Sequence, residues 1–289
     1  MKSENRSAAL ARSLRKWGAL LLSLTLCLPL SACGPGRPEP PDDPVPPAVD
    51  PAPQPDPAPD PKPETTIGEL SLHKTYSSDA GEELLNVSVT APKPEGTEAA
   101  EQIAAYYQMW MDDIDYYCET MLTETSREAL AWARENGGTF TPYALESGYQ
   151  VTRSDDAVFS VIRDQYESTG GVHPSYAMLA ETFDAANGGR MSVFTLFSAM
   201  EEQDVLGLIH HKVAALAERR METQPDLYYE NYRELLADTF DPLCFALTDT
   251  GLTLYWQTYS IGPFVSGVQR FDIPYEELEG KMDEQWMLS

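Results

Sequence analysis

Tyr143–Thr152 (YALESGYQVT), Arg153–Asp156 (RSDD) and Ala157–Glu167 (AVFSVIRDQYE) are the stretch on which the reading of the fold turns. Two runs containing aromatic and β-branched residues flank four polar ones. That is the pattern of two antiparallel strands joined by a short turn. Alternation in the second run sets Val158, Ser160, Ile162 and Asp164 on one face and Phe159, Val161 and Arg163 on the other.

Downstream, Ser168-Thr169-Gly170-Gly171 breaks the strand, Tyr176–Phe183 resumes it and Ala185–Gly189 turns the chain. Met191–Phe197 reads as a short strand entering a helical turn. Val205, Leu206, Ile209, Val213, Leu216 and Met221 recur at helical spacing, and Tyr228, Tyr229, Tyr232, Leu235 and Leu236 mark a second helix. Strands follow near Cys244–Leu247, Leu252–Gln257 and Val268–Ile273. Upstream, Glu69–Tyr76 and Leu84–Thr90 read as partners across a turn at Ser77–Gly81, with Pro92, Pro94 and Gly96 stopping the second strand. Thr97 is placed to cap a helix whose apolar face is Ile103, Tyr106, Tyr107, Trp110, Ile114, Tyr117, Cys118, Met121 and Leu122. A further helical piece runs over Ser126–Asn136. The order β-β-α-β-β-β-α-α-β-β-β predicts an α+β fold: a mainly antiparallel sheet with packed helices.

The N-terminus has a different character. Lys2, Arg6, Arg12, Arg15 and Lys16 precede the apolar run Gly18–Leu30, which as a helix spans about 20 Å against a hydrocarbon core of roughly 30 Å. A charged start, a short apolar run and small residues at its end describe a secretion signal. Leu30-Ser31-Ala32-Cys33 resembles a bacterial lipobox, so residues 1–33 read as a lipoprotein signal peptide ending in the lipidated Cys33. Acyl chains on that cysteine would hold the chain on the outer face of the cell membrane, each buried CH₂ contributing about 0.8 kcal/mol. Residues 34–66 read as a disordered Pro-rich linker. Fourteen prolines lie between positions 35 and 63, with almost no large apolar side chain, so no core can form. In polyproline II that stretch reaches roughly 90 Å.

The formal charge is −26, and loss of residues 1–33, with five positive charges and one negative, leaves about −30. Such a chain repels nucleic acid and draws cationic partners. Of four cysteines, Cys118 and Cys244 lie in the folded body, where export permits a disulfide between them and burial as free thiols is the alternative.

Motifs for chemistry are sparse. His73, His173, His210 and His211 show no metal-ligand spacing, and no nucleophile elbow or glycine-rich phosphate loop is present. Neither a metal nor a cofactor is expected. His210 and His211, adjacent on a helix, must point differently. In Gly170–Tyr176 (GGVHPSY), His173 lies near Ser175 and Tyr176, but nothing supplies an orienting third group. The chain is therefore expected not to be an enzyme. Tyr259–Gly267 (YSIGPFVSG), between two strands, is placed to present Tyr259 and Phe264. With His173 and Tyr176 they form the candidate binding surface, since aromatic side chains often anchor partners.

Several segments resemble the DUF3298 family with a DUF4163 region ahead of it: Tyr166–Pro174 (YESTGGVHP), the turn from Phe183-Asp184 to Gly188-Gly189, Thr195-Leu196-Phe197, Phe245–Leu252 (FALTDTGL), Tyr259–Phe264 and Phe271–Tyr275 (FDIPY). The resemblance implies a DUF4163-like α+β region over 67–170 and a DUF3298-like one over 171–289. It departs from the family at Gln257-Thr258-Tyr259, where members usually show Asn-Pro-Tyr. Such domains occur outside the cytoplasm in Gram-positive bacteria, some joined to polysaccharide deacetylases, others forming lysozyme-sensing parts of anti-sigma factors. With neither companion expected here, the resemblance implies a lipid-anchored binding or sensor module on a tether, for a cationic protein such as lysozyme or for cell-wall glycan. The other readings are a structural or assembly lipoprotein of the envelope, and a cell-wall-related hydrolase.

Overall fold

A computed structural model describes residues 65–288; the expected signal peptide over 1–33, Cys33 and nearly all of the expected Pro-rich linker over 34–66 lie outside the described residues. Strands β1 (Thr66–Ser77) and β2 (Glu83–Glu95) form an antiparallel hairpin. Helix α1 (Glu98–Tyr117) runs through a π-helical turn, Cys118–Leu122, into α2 (Thr123–Asn136). Strands β3 (Tyr143–Ser154), β4 (Val158–Ser168) and β5 (Ser175–Asp184) complete a five-stranded sheet in the order β1-β2-β3-β4-β5. All neighbours are antiparallel except β2 and β3, which the α1–α2 crossover makes parallel. Helices α3 (Glu202–Met221) and α4 (Tyr232–Asp238) precede a second, antiparallel sheet of β6 (Phe245–Leu247), β7 (Gly251–Trp256) and β8 (Gln269–Pro274). The α+β expectation holds.

The two faces of β4 build the layers. Phe159 and Val161 join Leu85, Val87, Ile103, Tyr107 and Met111 in a core between the large sheet and α1. Ile162 faces the other way and packs with Ala180, Cys244, Ala246 and Tyr255 between the two sheets. Phe245, Leu254, Trp256 and Phe271 then face α3 and α4 through Val205, Ile209, Val213 and Leu236. Hydroxyls fasten β6 across the gap. Ser160 Oγ accepts from Leu247 N at 2.9 Å, and Thr182 Oγ1 donates to Phe245 O at 3.0 Å.

Several local expectations need correction. Strand β2 does not stop at Pro92 but continues to Glu95. Its ladder with β3 ends at Val89, and alternation puts the missing N–H groups of Pro92 and Pro94 on one side, where no partner strand pairs. Met121 leaves the helix's buried face because the π turn inserts an extra residue; it is exposed while Cys118 and Leu122 are buried. Met191–Phe197 contains no strand: Arg190 makes a lone bridge to Phe183 and a 3₁₀ turn follows at Val193–Leu196. Tyr228 and Tyr229 precede α4 and are held by loop contacts instead. The disulfide between Cys118 and Cys244 is not formed. Both are free and buried, Cys118 in the α1-side core and Cys244 between the sheets, so the large sheet separates them. The boundary expected at residue 170 falls in the β4–β5 turn, between strands that pair from Val158–Asp184 to Glu167–Ser175.

Burial also extends to charge. Arg163 Nε donates to Glu181 Oε2 at 3.0 Å and Nη2 to Oε1, while the guanidinium lies 3.9 Å from the Trp110 ring centroid. The hydroxyls of Tyr106 and Tyr107 also point to Glu181. Among the described residues, no helix is long and apolar enough to cross a membrane.

Candidate functional site

Two loops meet at one end of the inter-sheet seam. The β4–β5 loop turns at Gly170, whose φ of +72° suits glycine. The β7–β8 loop leaves β7 at Gln257, whose amide clips onto the backbone of β5: Nε2 donates to Met178 O at 2.6 Å and Oε1 accepts from Met178 N at 3.0 Å. Further along, Tyr229 N donates to Ile261 O at 3.0 Å and Ser266 Oγ to Leu227 O at 2.6 Å. Gly262 passes so close to Leu227 O that a Cβ there would sit 2.5 Å away. The loop is therefore pinned to β5 on one side and to the α3–α4 connection on the other.

On this frame three rings form a row. His173 stacks on Phe264 with centroids 4.2 Å apart and planes at 26°. Tyr259 follows at 5.8 Å and 38°. Tyr259 is the one non-glycine residue with positive φ among the described residues, at +69°. A bulky residue in that conformation is strained by about 1–3 kcal/mol. The residue is nonetheless 59% exposed. Val172 and Val265, at 93% and 89% exposed, stand at the tips of the two loops. Tyr176, also exposed, lies at the start of β5, and burial and the nearby Asp164 raise its phenol above the usual value. Three of the four candidate binding residues thus form one contiguous row, and Tyr176 begins the strand that the Gln257 clip holds.

The His173 ring stacks on Phe264, and among the described residues no hydrogen bond joins it to Ser175. His210 packs edge-on to Phe240 at 5.6 Å, with burial lowering its pKa, whereas His211 is exposed. Among the described residues no group of three His, Cys, Asp or Glu side chains could hold a metal ion.

Sequence reasoning missed the clip. Gln257 was visible only as a departure from a family pattern, with no local signal that its amide would reach a strand almost eighty positions earlier. It also missed the Arg163–Glu181 pair, for which alternation gave the face of Arg163 but not its partner.

Residues 198–276 match the family model described as a protein of unknown function, DUF3298. The match spans α3 to the end of β8 and contains Gln257, Tyr259 and Phe264, while His173 and Tyr176 lie before it. It does not extend over 67–170. Among solved structures, a DUF3298 family member from Bacteroides fragilis NCTC 9343 is 18% identical with a TM-score of 0.58, over 77% of this chain and 95% of its own. A DUF3298 family protein from Pseudomonas aeruginosa PAO1 is 17% identical with a TM-score of 0.48, over 78% and 98%. At that identity, the likeness to the Bacteroides protein speaks for the fold alone. No curated protein matches this chain.

Proposed function

We propose that this chain is a non-enzymatic, lipid-anchored binding or sensor module on the outer face of the cell membrane, and that its contact surface is the His173–Phe264–Tyr259 row with Tyr176. The observation that supports this most is the strained, exposed Tyr259 at the end of a ring row on a pinned loop. Rigid aromatic side chains on a fixed frame lose little entropy on binding, which is why they recur as hot spots. The Val172 and Val265 tips extend the surface with apolar area that water covers poorly. The formal charge of −26 favours a cationic protein partner, with lysozyme as the first to test. The lipobox-like Leu30–Cys33 and the Pro-rich stretch behind it support the anchor and the tether.

The test is calorimetric titration of the chain with lysozyme at two salt concentrations, alongside His173→Ala and Tyr259→Ala. Both side chains are exposed, so the fold should tolerate their loss. Binding that weakens only modestly with salt and falls at least about tenfold in either variant supports the reading. Binding that moderate salt abolishes, or that neither variant changes, removes lysozyme. A ring row is also a platform for sugars, so cell-wall glycan fragments form the second titration.

A further inference from the structure

The two edges of the large sheet are treated differently. Along β5 the free backbone groups are covered in turn: Met178 by the Gln257 amide and the Cys244 thiol, Thr182 by Met191 N, and Asp184 N by Gly189 O. Such devices stop an edge strand from pairing with another chain. The opposite edge, β1, has none of them. From Thr66 to Tyr76 it keeps an unbroken register with β2, contains no proline, and meets its first irregularity only at Tyr76/Ser77. No backbone group of a described residue other than those of β2 pairs with it. Its one lysine, Lys74, is drawn aside to Asp115 of α1.

We propose that β1 is a homodimer interface, pairing antiparallel with β1 of a second copy about a twofold axis at Ser71. The choice of a second copy follows from self-complementarity. About Ser71, Glu69 falls opposite the partner copy's position 73, a histidine. Leu70 falls opposite position 72, a leucine, and Ile67 opposite position 75, a threonine. Opposed residues have the same parity, so each side chain meets one on its own face of the sheet. This register also uses the strand over its whole regular length, whereas moving the axis by one residue to Leu72 sets Leu70 against Lys74. The contact is isologous and closed, as dimer symmetry requires. The result is one continuous sheet of ten strands, with Gln257 and Cys244 capping both outer ends. Net repulsion between acidic copies is screened beyond about 8 Å at physiological salt, so edge contacts decide the pairing.

Cross-linking in the full chain tests it. Residues opposed in an antiparallel pair have Cα atoms about 4.5–5.5 Å apart, within disulfide range. Ser71→Cys should therefore give a covalent dimer on mild oxidation, while Thr75→Cys, which would face Ile67 of the other copy, should not. The unsubstituted chain sets the background from its own cysteines. The His73 side chain is exposed and makes no hydrogen bond or ion pair among the described residues, so His73→Glu leaves the monomer fold intact. It sets carboxylates against Glu69 twice by symmetry and should weaken dimerisation about tenfold by light scattering, whereas His73→Lys should tighten it. Equal cross-linking at 71 and 75, or a monomer by light scattering at every concentration reached, overturns the proposal.

Discussion

Replacing Glu181 by Gln should destabilise this protein more than almost any other single change of similar size. Side-chain exposures of Arg163 and Glu181 are 2% and 3%. The substitution keeps shape and leaves the Tyr106 and Tyr107 hydroxyls an oxygen to meet, but strands a guanidinium between Trp110 and the sheet. Leaving one partner of a buried pair uncompensated costs about 3–5 kcal/mol. In a folded region this size each kcal/mol lowers Tm by about 2–4 °C, so a loss of about 6–12 °C is the least expected. Arg163→Met, which retains contact with Trp110, should cost a similar amount. The double variant Arg163→Met/Glu181→Leu removes both charges and should lie within about 2 kcal/mol of the parent, because an apolar replacement of a buried pair is often neutral or better. The assay is urea unfolding followed by far-ultraviolet circular dichroism and tryptophan fluorescence, whose coincidence tests two-state behaviour. A single variant costing under about 1 kcal/mol, or a double as unstable as either single, would refute the argument. Stability at this position would then come from guanidinium packing on Trp110, not from the pair.

Two further outcomes follow from the site and from burial. Gln257→Ala should cost about 1–3 kcal/mol for the two bonds to Met178 and raise amide exchange across residues 258–267, with Gln257→Asn, one methylene too short, behaving the same way; exchange rates unchanged in both would show that the loop is held from the α3–α4 side alone. Alkaline pH should unfold the protein. Burial raises the Cys118 and Cys244 thiols from 9.0 to about 12 and about 11, and burial first, then Glu167, raises the Tyr117 phenol from 10.0 to about 12. These groups stay protonated in the fold while the unfolded chain releases their protons from about pH 9, so stability present below pH 9 falls as pH rises towards 12; a melting temperature flat across that range would contradict it.

Local patterning gave much of the fold because two periods are written into the chain. The β3–β4 hairpin and the division of β4 between Val158, Ser160, Ile162 and Phe159, Val161, Arg163 follow from alternation alone, and the contacts obey it. The Thr97 cap was legible for the same reason: its hydroxyl accepts from Ala100 N at 3.1 Å, a contact three residues away. Failures occurred where strand pairing or a break in helix register overrode the local pattern. Pro92 and Pro94 sit in a strand because the β2–β3 ladder ends before them, at Val89 and Ser147, and Met121 faces solvent because the π turn shifts the helix register.

The binding surface divides along the same line. His173, Tyr176, Tyr259 and Phe264 could be picked from sequence because aromatic residues in Gly- and Pro-containing loops between strands have few ways to be buried. That His173 stacks on Phe264, ninety-one positions away, depends on how the two sheets lie on each other, and that depends on Ser160 and Thr182 meeting β6. The pairing of Arg163 with Glu181 and the clip of Gln257 on Met178 are likewise tertiary facts. Sequence alone determined which elements form and which face of each is apolar, because helix and strand periods act over a few residues. Which faces, charges and loops meet was decided only when the sheets closed, because the energy of those contacts exists only once water has been excluded between residues far apart in the chain.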